Sequence, residues 1–257
     1  MKKLVTLVMM VLVACSMLLS GCGGGGGEKK PAENKILRVG TEPAFAPFEF
    51  PKEGSKELTG FDMDLIRAIG KQMGYKVEIS GMGFDALIPA LNAGNIDVAI
   101  AGMTITEERK KAIDFSDPYY TAGLIVLVRK DSTVKSIDDL KGKKIAAQIG
   151  TTGEMKARTV EGATVTTFNT QDEAALELKN GGCDAVIGDA PVMDFYLSKG
   201  GSKYSMTVGQ KMEAEQYGIA LKKGNKLVGE INKAMAELKK SGEFDKIYKQ
   251  WFGDEKK

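Results

Sequence analysis

Lys144-Ile145-Ala146-Ala147, Val165-Thr166-Thr167-Phe168 and Ala185-Val186-Ile187 are three short runs rich in apolar and β-branched residues. Stretches with helical patterning at 153–159 and 171–180 separate them, and a third, at 190–198, follows the last. Runs of this length between helical segments read as buried strands. Strand and helix in strict alternation predict an α/β fold with mostly parallel sheets covered on both faces. The rhythm continues outward on both sides. Strands are expected at 37–39, 77–79, 97–101 and 124–128, and again at 218–221. Helices are expected at 62–73, with Leu65, Ile66, Ile69 and Met73 on one face, at 86–93 behind a capping Asp85, and at 107–111. A C-terminal helix carries Leu227, Val228, Ile231, Met235 and Leu238 inward, and 244–252 follows it. Asp62 and Asp64 open a helix after a glycine turn, so capping and the helix dipole account for them. Sheets of this kind hold ligands at the carboxyl ends of their strands. The loops after Val39, Ala101, Ala147 and Ile187 are therefore where chemistry is expected.

A chain of 257 residues, 43% apolar and 27% charged, suits one large domain or two lobes of about 100 residues each. It contains no histidine. That removes Ser-His-Asp and Cys-His catalysis and every His-ligated metal site, and no metal or cofactor is expected. Of Cys15, Cys22 and Cys183, two lie in an N-terminal targeting region, which leaves Cys183 alone in the folded part. An internal disulfide is then impossible, and Cys183 reads as a small buried residue. The charge is nearly balanced, 36 basic against 34 acidic residues, and gives no reason to expect nucleic acid.

Met1-Lys2-Lys3 and the apolar run from Leu4 to Leu19 read as a signal peptide over residues 1–21. The run ends in Leu19-Ser20-Gly21-Cys22, which resembles the bacterial lipobox and makes Cys22 the lipidated first residue of the mature chain. Five glycines and a polar stretch then form a flexible tether over 22–34. The expected location is the extracytoplasmic face of the cell membrane, held by the lipid.

Several motifs follow in chain order. They are Thr41-Glu42-Pro43-Ala44-Phe45-Ala46-Pro47-Phe48-Glu49-Phe50, Gly60-Phe61-Asp62-Met63-Asp64-Leu65, Phe84-Asp85-Ala86-Leu87 and Ala101-Gly102-Met103-Thr104 with Glu108-Arg109. Asp114-Phe115-Ser116-Asp117-Pro118-Tyr119-Tyr120, Gly150-Thr151-Thr152-Gly153, Gly188-Asp189 and Trp251-Phe252 complete the series. Together they span about 220 residues, and the chain resembles the bacterial family 3 extracellular solute-binding proteins for polar amino acids. The resemblance implies a two-lobed periplasmic-binding-protein fold, monomeric, with a ligand cleft between the lobes. Lobe 1 would be residues 35–118 and 218–257, and lobe 2 residues 124–212. Crossing segments at 119–123 and 213–217 would join them. It also implies capture of a free L-amino acid for an ABC transporter permease.

The same resemblance assigns site residues. Arg109 matches the clamp for the ligand α-carboxylate, helped by backbone N–H groups at Thr104 and Thr152, and a guanidinium fork suits that anion. Asp189, the Gly102 carbonyl and the Thr104 hydroxyl match the α-ammonium partners, with Met103 and Thr151 beside them in the same loops. Phe45 and Phe84 match aromatic walls around the ligand side chain, and Glu42 the contact at its tip. The family's glutamine binders carry lysine and histidine where this chain has Gln148 and Gly188. Gln148 suits a basic ligand (arginine, lysine or histidine), whereas Glu213-Ala214-Glu215-Gln216-Tyr217-Gly218 looks closer to the glutamine binders. Two other classes share the fold, dehydratase-like enzymes and receptor-borne sensor domains. The absence of histidine speaks against the first, and the lack of a second apolar span against the second.

Overall fold

The computed structural model describes residues 35–254. The expected signal peptide, Cys22 and tether lie outside the described residues. In the first lobe, β1 (Lys35–Thr41) leads to a small hairpin, β2 (Phe50–Pro51) and β3 (Leu58–Thr59). Then come α1 (Phe61–Met73), β4 (Tyr75–Gly81), α2 (Phe84–Ala93), β5 (Val98–Ala99), α3 (Glu107–Ala112) and β6 (Ile113–Phe115). The second lobe runs from β7 (Tyr120–Arg129) through β8 (Lys144–Gln148), α4 (Thr152–Arg158), β9 (Thr164–Phe168) and α5 (Gln171–Asn180). It continues with β10 (Ala185–Asp189), α6 (Ala190–Ser198) and β11 (Ser205–Val208). The chain returns along β12 (Ala214–Tyr217) and ends with β13 (Ala220–Lys222), α7 (Leu227–Ser241) and α8 (Glu243–Phe252) in the first lobe.

Two sheets carry the lobes, ordered β4-β1-β5-β13-β6 and β11-β7-β10-β8-β9. The expectation of parallel strands holds for the triples β4-β1-β5 and β10-β8-β9. It is corrected at their neighbours: β13 and β6 in one sheet, and β7 and β11 in the other, pair antiparallel. The reason is the path of the chain, because β7 and β13 enter their lobes from the crossing segments and so run against the strands already there.

Both sheets are covered on both faces, and β7 shows how one strand serves two cores. Leu124, Val126 and Val128 join Ile145, Ala157 and Ile187 on one side. Ile125 and Leu127 join Ala146, Leu178, Cys183 and Val186 on the other. Period-two alternation with apolar residues on both phases is what a doubly covered strand requires. Cys183 is buried there as a small core residue, and burial pushes its thiol up to about 12. In the first lobe, Leu37, Val39, Leu65, Ile66 and Ile69 pack with α7 and α8, while Leu87 and Leu91 of α2 close the opposite face.

The crossing segments expected at 119–123 and 213–217 are two paired strands. Residues 120–123 of β7 align antiparallel with β12, Tyr120 opposite Tyr217 and Gly123 opposite Ala214. A Cβ on Gly123 would stand 3.1 Å from the Met212 carbonyl oxygen, so any larger residue would push the two strands apart by a few tenths of an ångström. Phe48 roots the pair in the first lobe, with ring centroids 4.9 Å from Tyr120 and 5.3 Å from Tyr217. Among the described residues no helix is long and apolar enough to cross a membrane.

Two helix starts differ from expectation. Gly83 caps α2, and Asp85 lies inside its first turn. Gly60 caps α1, at a φ of 128° that favours glycine, and Asp62 caps nothing. The Asp62 carboxylate is instead fully buried and accepts the Gly102 N–H (3.0 Å) and the Tyr119 hydroxyl (2.7 Å). Asp64 accepts the Trp251 indole N–H at 2.9 Å, which ties α1 to α8.

Candidate functional site

The carboxyl ends of the two parallel triples face each other, and most of the expected residues stand there. Arg109 is presented by the short α3, whose cap Thr106 accepts the Arg109 backbone N–H at 3.1 Å. Its side chain is only 5% exposed. Nη1 donates to the Thr104 carbonyl at 2.6 Å, and Nη2 to the Gly150 carbonyl of the opposite lobe at 3.0 Å. The guanidinium carbon lies 5.2 Å from the Phe84 ring centroid. Burial lowers the Arg109 pKa to about 10, against the opposing pull of Asp189 and Glu215, so the group stays charged at neutral pH. Both of its hydrogen-bond partners are neutral carbonyls. They orient the fork without neutralising it.

Asp189 ends β10 and stands at the cap position of α6, yet its side chain makes no capping bond. The capping role that its position suggests is therefore not taken. The carboxylate is 7% exposed and accepts a short hydrogen bond from the Tyr217 hydroxyl of β12. Burial raises its pKa to about 7; Tyr217 and Arg109 hold it down, and Glu215 pushes it up.

Glu42, one residue past the end of β1, is 2% exposed, and its Oε2 has no partner among the described residues. Burial raises its pKa to about 7, partly offset by a hydrogen bond with Gln148, while Asp172 adds repulsion. Gln148 ends β8 and also donates Nε2 to the Asn169 carbonyl at 3.1 Å. Phe45 and Phe84 are both buried. The Phe45 ring lies over Gly102, where a Cβ would come within 2.6 Å of ring carbon Cε1, and Gly102 has a φ of 53°. Glycine is thus required on two counts.

Thr104 and Thr152 face one another through a residue that the sequence reading did not assign. Glu215 of β12 accepts the Thr104 hydroxyl (3.0 Å) from one lobe and the Thr152 hydroxyl (2.9 Å) from the other, on a single Oε2. Thr151 is the cap of α4 and accepts the Glu154 N–H at 3.3 Å, while its own hydroxyl donates to the Gln148 carbonyl at 2.7 Å. Its role is local. Met103 stands in the same loop as Thr104 with its side chain fully buried among Leu87, Leu91 and Ile113, and its carbonyl accepts the Gly218 N–H at 3.1 Å. It belongs to the core. Glu215 and Tyr217 had a signal, since period-two alternation along 214–217 puts them on one face. Glu49, fully buried with both carboxylate oxygens lacking hydrogen-bond partners in the structure, stands beside Asp62 behind the Gly102 loop, and burial raises its pKa strongly. A surface cleft of about 1120 Å³ opens beside the Glu215 bridge. It shares Thr104 and Thr152 with the candidate set but not Arg109 or Asp189, so the charged groups lie apart from it.

Two α/β lobes joined by paired crossing strands, with buried charges at the facing strand ends, are the construction of a two-lobed solute-binding protein. The particular family follows from comparison. The chain belongs to the bacterial extracellular solute-binding proteins, family 3, whose family model matches residues 37–254. The arginine-binding extracellular protein ArtP of Bacillus subtilis (strain 168) is 37% identical over 228 residues, which is 86% of this chain and 88% of that protein. Among solved structures, an ancestral arginine-binding protein bound to arginine matches with a TM-score of 0.82 at 50% identity, covering 85% of this chain and 98% of its own. An ancestral arginine-binding protein bound to glutamine gives 0.80 at 49% identity, over 85% and 98%.

Proposed function

We propose that this protein captures a free basic L-amino acid, arginine foremost, by closing its lobes, and delivers it to an ABC transporter permease without chemical change. The observation that carries the reading is the pair Arg109 and Asp189. Each is buried at the strand ends of a different lobe, and neither has its charge neutralised by a contacting ion. An α-amino acid supplies the missing carboxylate to one and the missing ammonium to the other. Backbone N–H groups at Thr104 and Thr152 would share the carboxylate, and the Gly102 carbonyl and Thr104 hydroxyl the ammonium. Phe45 and Phe84 would flank the side chain, with Glu42 and Gln148 at its tip. The crossing strands at 119–123 and 213–217 serve as the hinge between residues 35–118 with 218–257 and residues 124–212.

The choice of a basic ligand is supported by the charge balance of the site, one buried cation, Arg109, against buried Glu42 and Asp189 and half-buried Glu215. The arginine named for ArtP and for the first ancestral structure agrees with it. Glutamine is the second reading, favoured by the structure of an ancestral arginine-binding protein bound to glutamine. The protein acts as a monomer on the extracytoplasmic face, tethered through a lipid on Cys22. A thermal-shift screen over the twenty amino acids, followed by recovery of the ligand, tests the proposal. Arginine should give the largest shift and come back unchanged. Conversion of the ligand, or no response to any amino acid, would reject it.

A further inference from the structure

Gln171 belongs to no role described so far. It is the first residue of α5, behind the cap Thr170, and is 3% exposed. Its amide nitrogen is buried and has no hydrogen-bond partner among the described residues. A buried donor left in that state is costly, so its position calls for an acceptor. Its amide oxygen lies against Gly188, where a Cβ would come within 2.5 Å of it and 2.7 Å of the Met193 methyl carbon. Gly188 immediately precedes Asp189 in β10, so the amide packs against the backbone of the strand end that carries the proposed ammonium site.

The opposite wall is close by. Asp172 and Glu173, the two residues after Gln171, act electrostatically on Glu42, and Gln148 reaches both Glu42 and the Asn169 carbonyl two residues before Gln171. Two buried side-chain atoms of opposite character thus lack partners among the described residues in this neighbourhood, a donor on Gln171 and an acceptor on Glu42. One donor and one acceptor together are the complement of a primary carboxamide. A guanidinium or ammonium has only donors and asks for acceptors alone. A half-turn of the Gln171 amide exchanges its nitrogen for its oxygen at nearly constant shape.

We infer that Gln171 is a further specificity-determining residue, whose amide turns to offer Nε2 to a ligand carboxamide or Oε1 to a cationic side chain, so that one pocket admits both classes. The inference rests on the amino-acid reading above. It predicts that selectivity between arginine and glutamine is set at Gln171 jointly with Glu42, whereas affinity for the shared α-groups is not.

The test is calorimetric titration of arginine and of glutamine into the whole protein and into Gln171→Glu and Gln171→Met. Gln171→Glu keeps size and can only accept, so glutamine should weaken at least about tenfold while arginine stays within about threefold or tightens. Gln171→Met keeps length without a strong donor or acceptor, and both ligands should weaken about fivefold or more. Unchanged ligand-free melting temperatures show that the variants fold. Glutamine binding equally well to Gln171→Glu and wild type would overturn the inference, as would indifference of both ligands to Gln171→Met, which would leave an ordered water as the partner. Wild-type protein that binds arginine but not glutamine would overturn it alone. Wild-type protein that binds no amino acid would reject the functional reading itself.

Discussion

Replacing Arg109 with alanine removes the buried guanidinium placed to meet a ligand carboxylate between the lobes. Two losses follow, and they can be separated. In the ligand-free protein, the Thr104 and Gly150 carbonyls lose their donors at 2.6 and 3.0 Å, and Phe84 loses a cation at 5.2 Å. Both carbonyls can be rehydrated when the lobes part, so global stability should fall by no more than about 1–2 kcal/mol. In the complex, the ligand carboxylate becomes buried opposite two oxygens instead of a guanidinium fork. Truncating one partner of a buried charge pair costs about 2–5 kcal/mol. Affinity should thus drop at least about thirtyfold, and the loss should be the same for arginine and glutamine, because both bring the same carboxylate. Arg109→Lys, which keeps the charge and loses the fork, should fall between wild type and alanine. Isothermal titration of both ligands into the three proteins reads the magnitudes, and denaturant unfolding reads the stability. Wild-type affinity in Arg109→Ala would remove Arg109 from the site. A loss confined to one ligand would place it at the side-chain end instead.

Glu42→Gln keeps shape and removes charge, so arginine should lose about 1.5–3 kcal/mol while glutamine changes little; equal losses would mean that Glu42 only shapes the pocket. Asp189 and Glu42 both have pKa values raised to about 7 by burial. A raised carboxylate pKa means that the folded protein binds more protons than the unfolded chain between the ordinary value and about 7, so these groups lower ligand-free stability as pH rises through that window. Arginine affinity should move the opposite way, rising from about pH 5 to about pH 8 as both carboxylates ionise for a cation, and a flat or inverse profile would contradict this. Cys22→Ser should release the protein from the membrane fraction with ligand binding intact; retention in the membrane would refute the lipid anchor.

The parts of this molecule that were legible in sequence are those set by local pattern. The strands of β8, β9 and β10 and the helices between them announce themselves through apolar runs and helical spacing, and their carboxyl ends mark the loops in which the family resemblance then singles out Gln148 and Asp189. Strands β6, β11 and β12 were not read. They are three or four residues long, too short for their alternation to stand out from the surrounding sequence, and exist because a distant partner pairs with them. Asp62 shows the same limit in a side chain. An aspartate two residues past a glycine at a helix start looks like a cap, and only the approach of Gly102 and Tyr119, forty and fifty-seven positions away, gives it its true partners. Glu215 takes its role from two threonine donors that come from different lobes, which no local pattern around 213–217 reveals.

Those tertiary contacts bear on why closure should depend on a ligand. With the lobes together, Arg109 is within electrostatic reach of Asp189 and Glu215, and Glu42 is buried beside Gln148, so a fully ionised closed site would hold more buried negative than positive charge. Separating the lobes would expose Glu42 and Asp189 to water and remove the burial that raises their pKa values. Closing without a ligand must therefore either bury an imbalance or take up protons, and the raised pKa values of Glu42 and Asp189 indicate proton uptake. An arginine zwitterion brings two cations and one anion, which offsets part of the excess and releases those protons. Glutamine brings one of each and leaves Glu42 free to keep its proton. Both ligands can thus close the lobes through the shared α-groups, but only the cationic one converts the acidic end of the cleft from an electrostatic penalty into binding energy, and a ligand shifts closure only by its differential affinity for the closed state. The Glu215 bridge from the hinge strand to Thr104 and Thr152 accompanies closure with either ligand, because neither threonine hydroxyl reads the side chain. Selectivity is then a matter of Glu42 and its neighbours, and closure a matter of Arg109, Asp189 and Glu215, but both groups act on one ligand within one electrostatic network, so mutations across them should couple rather than add.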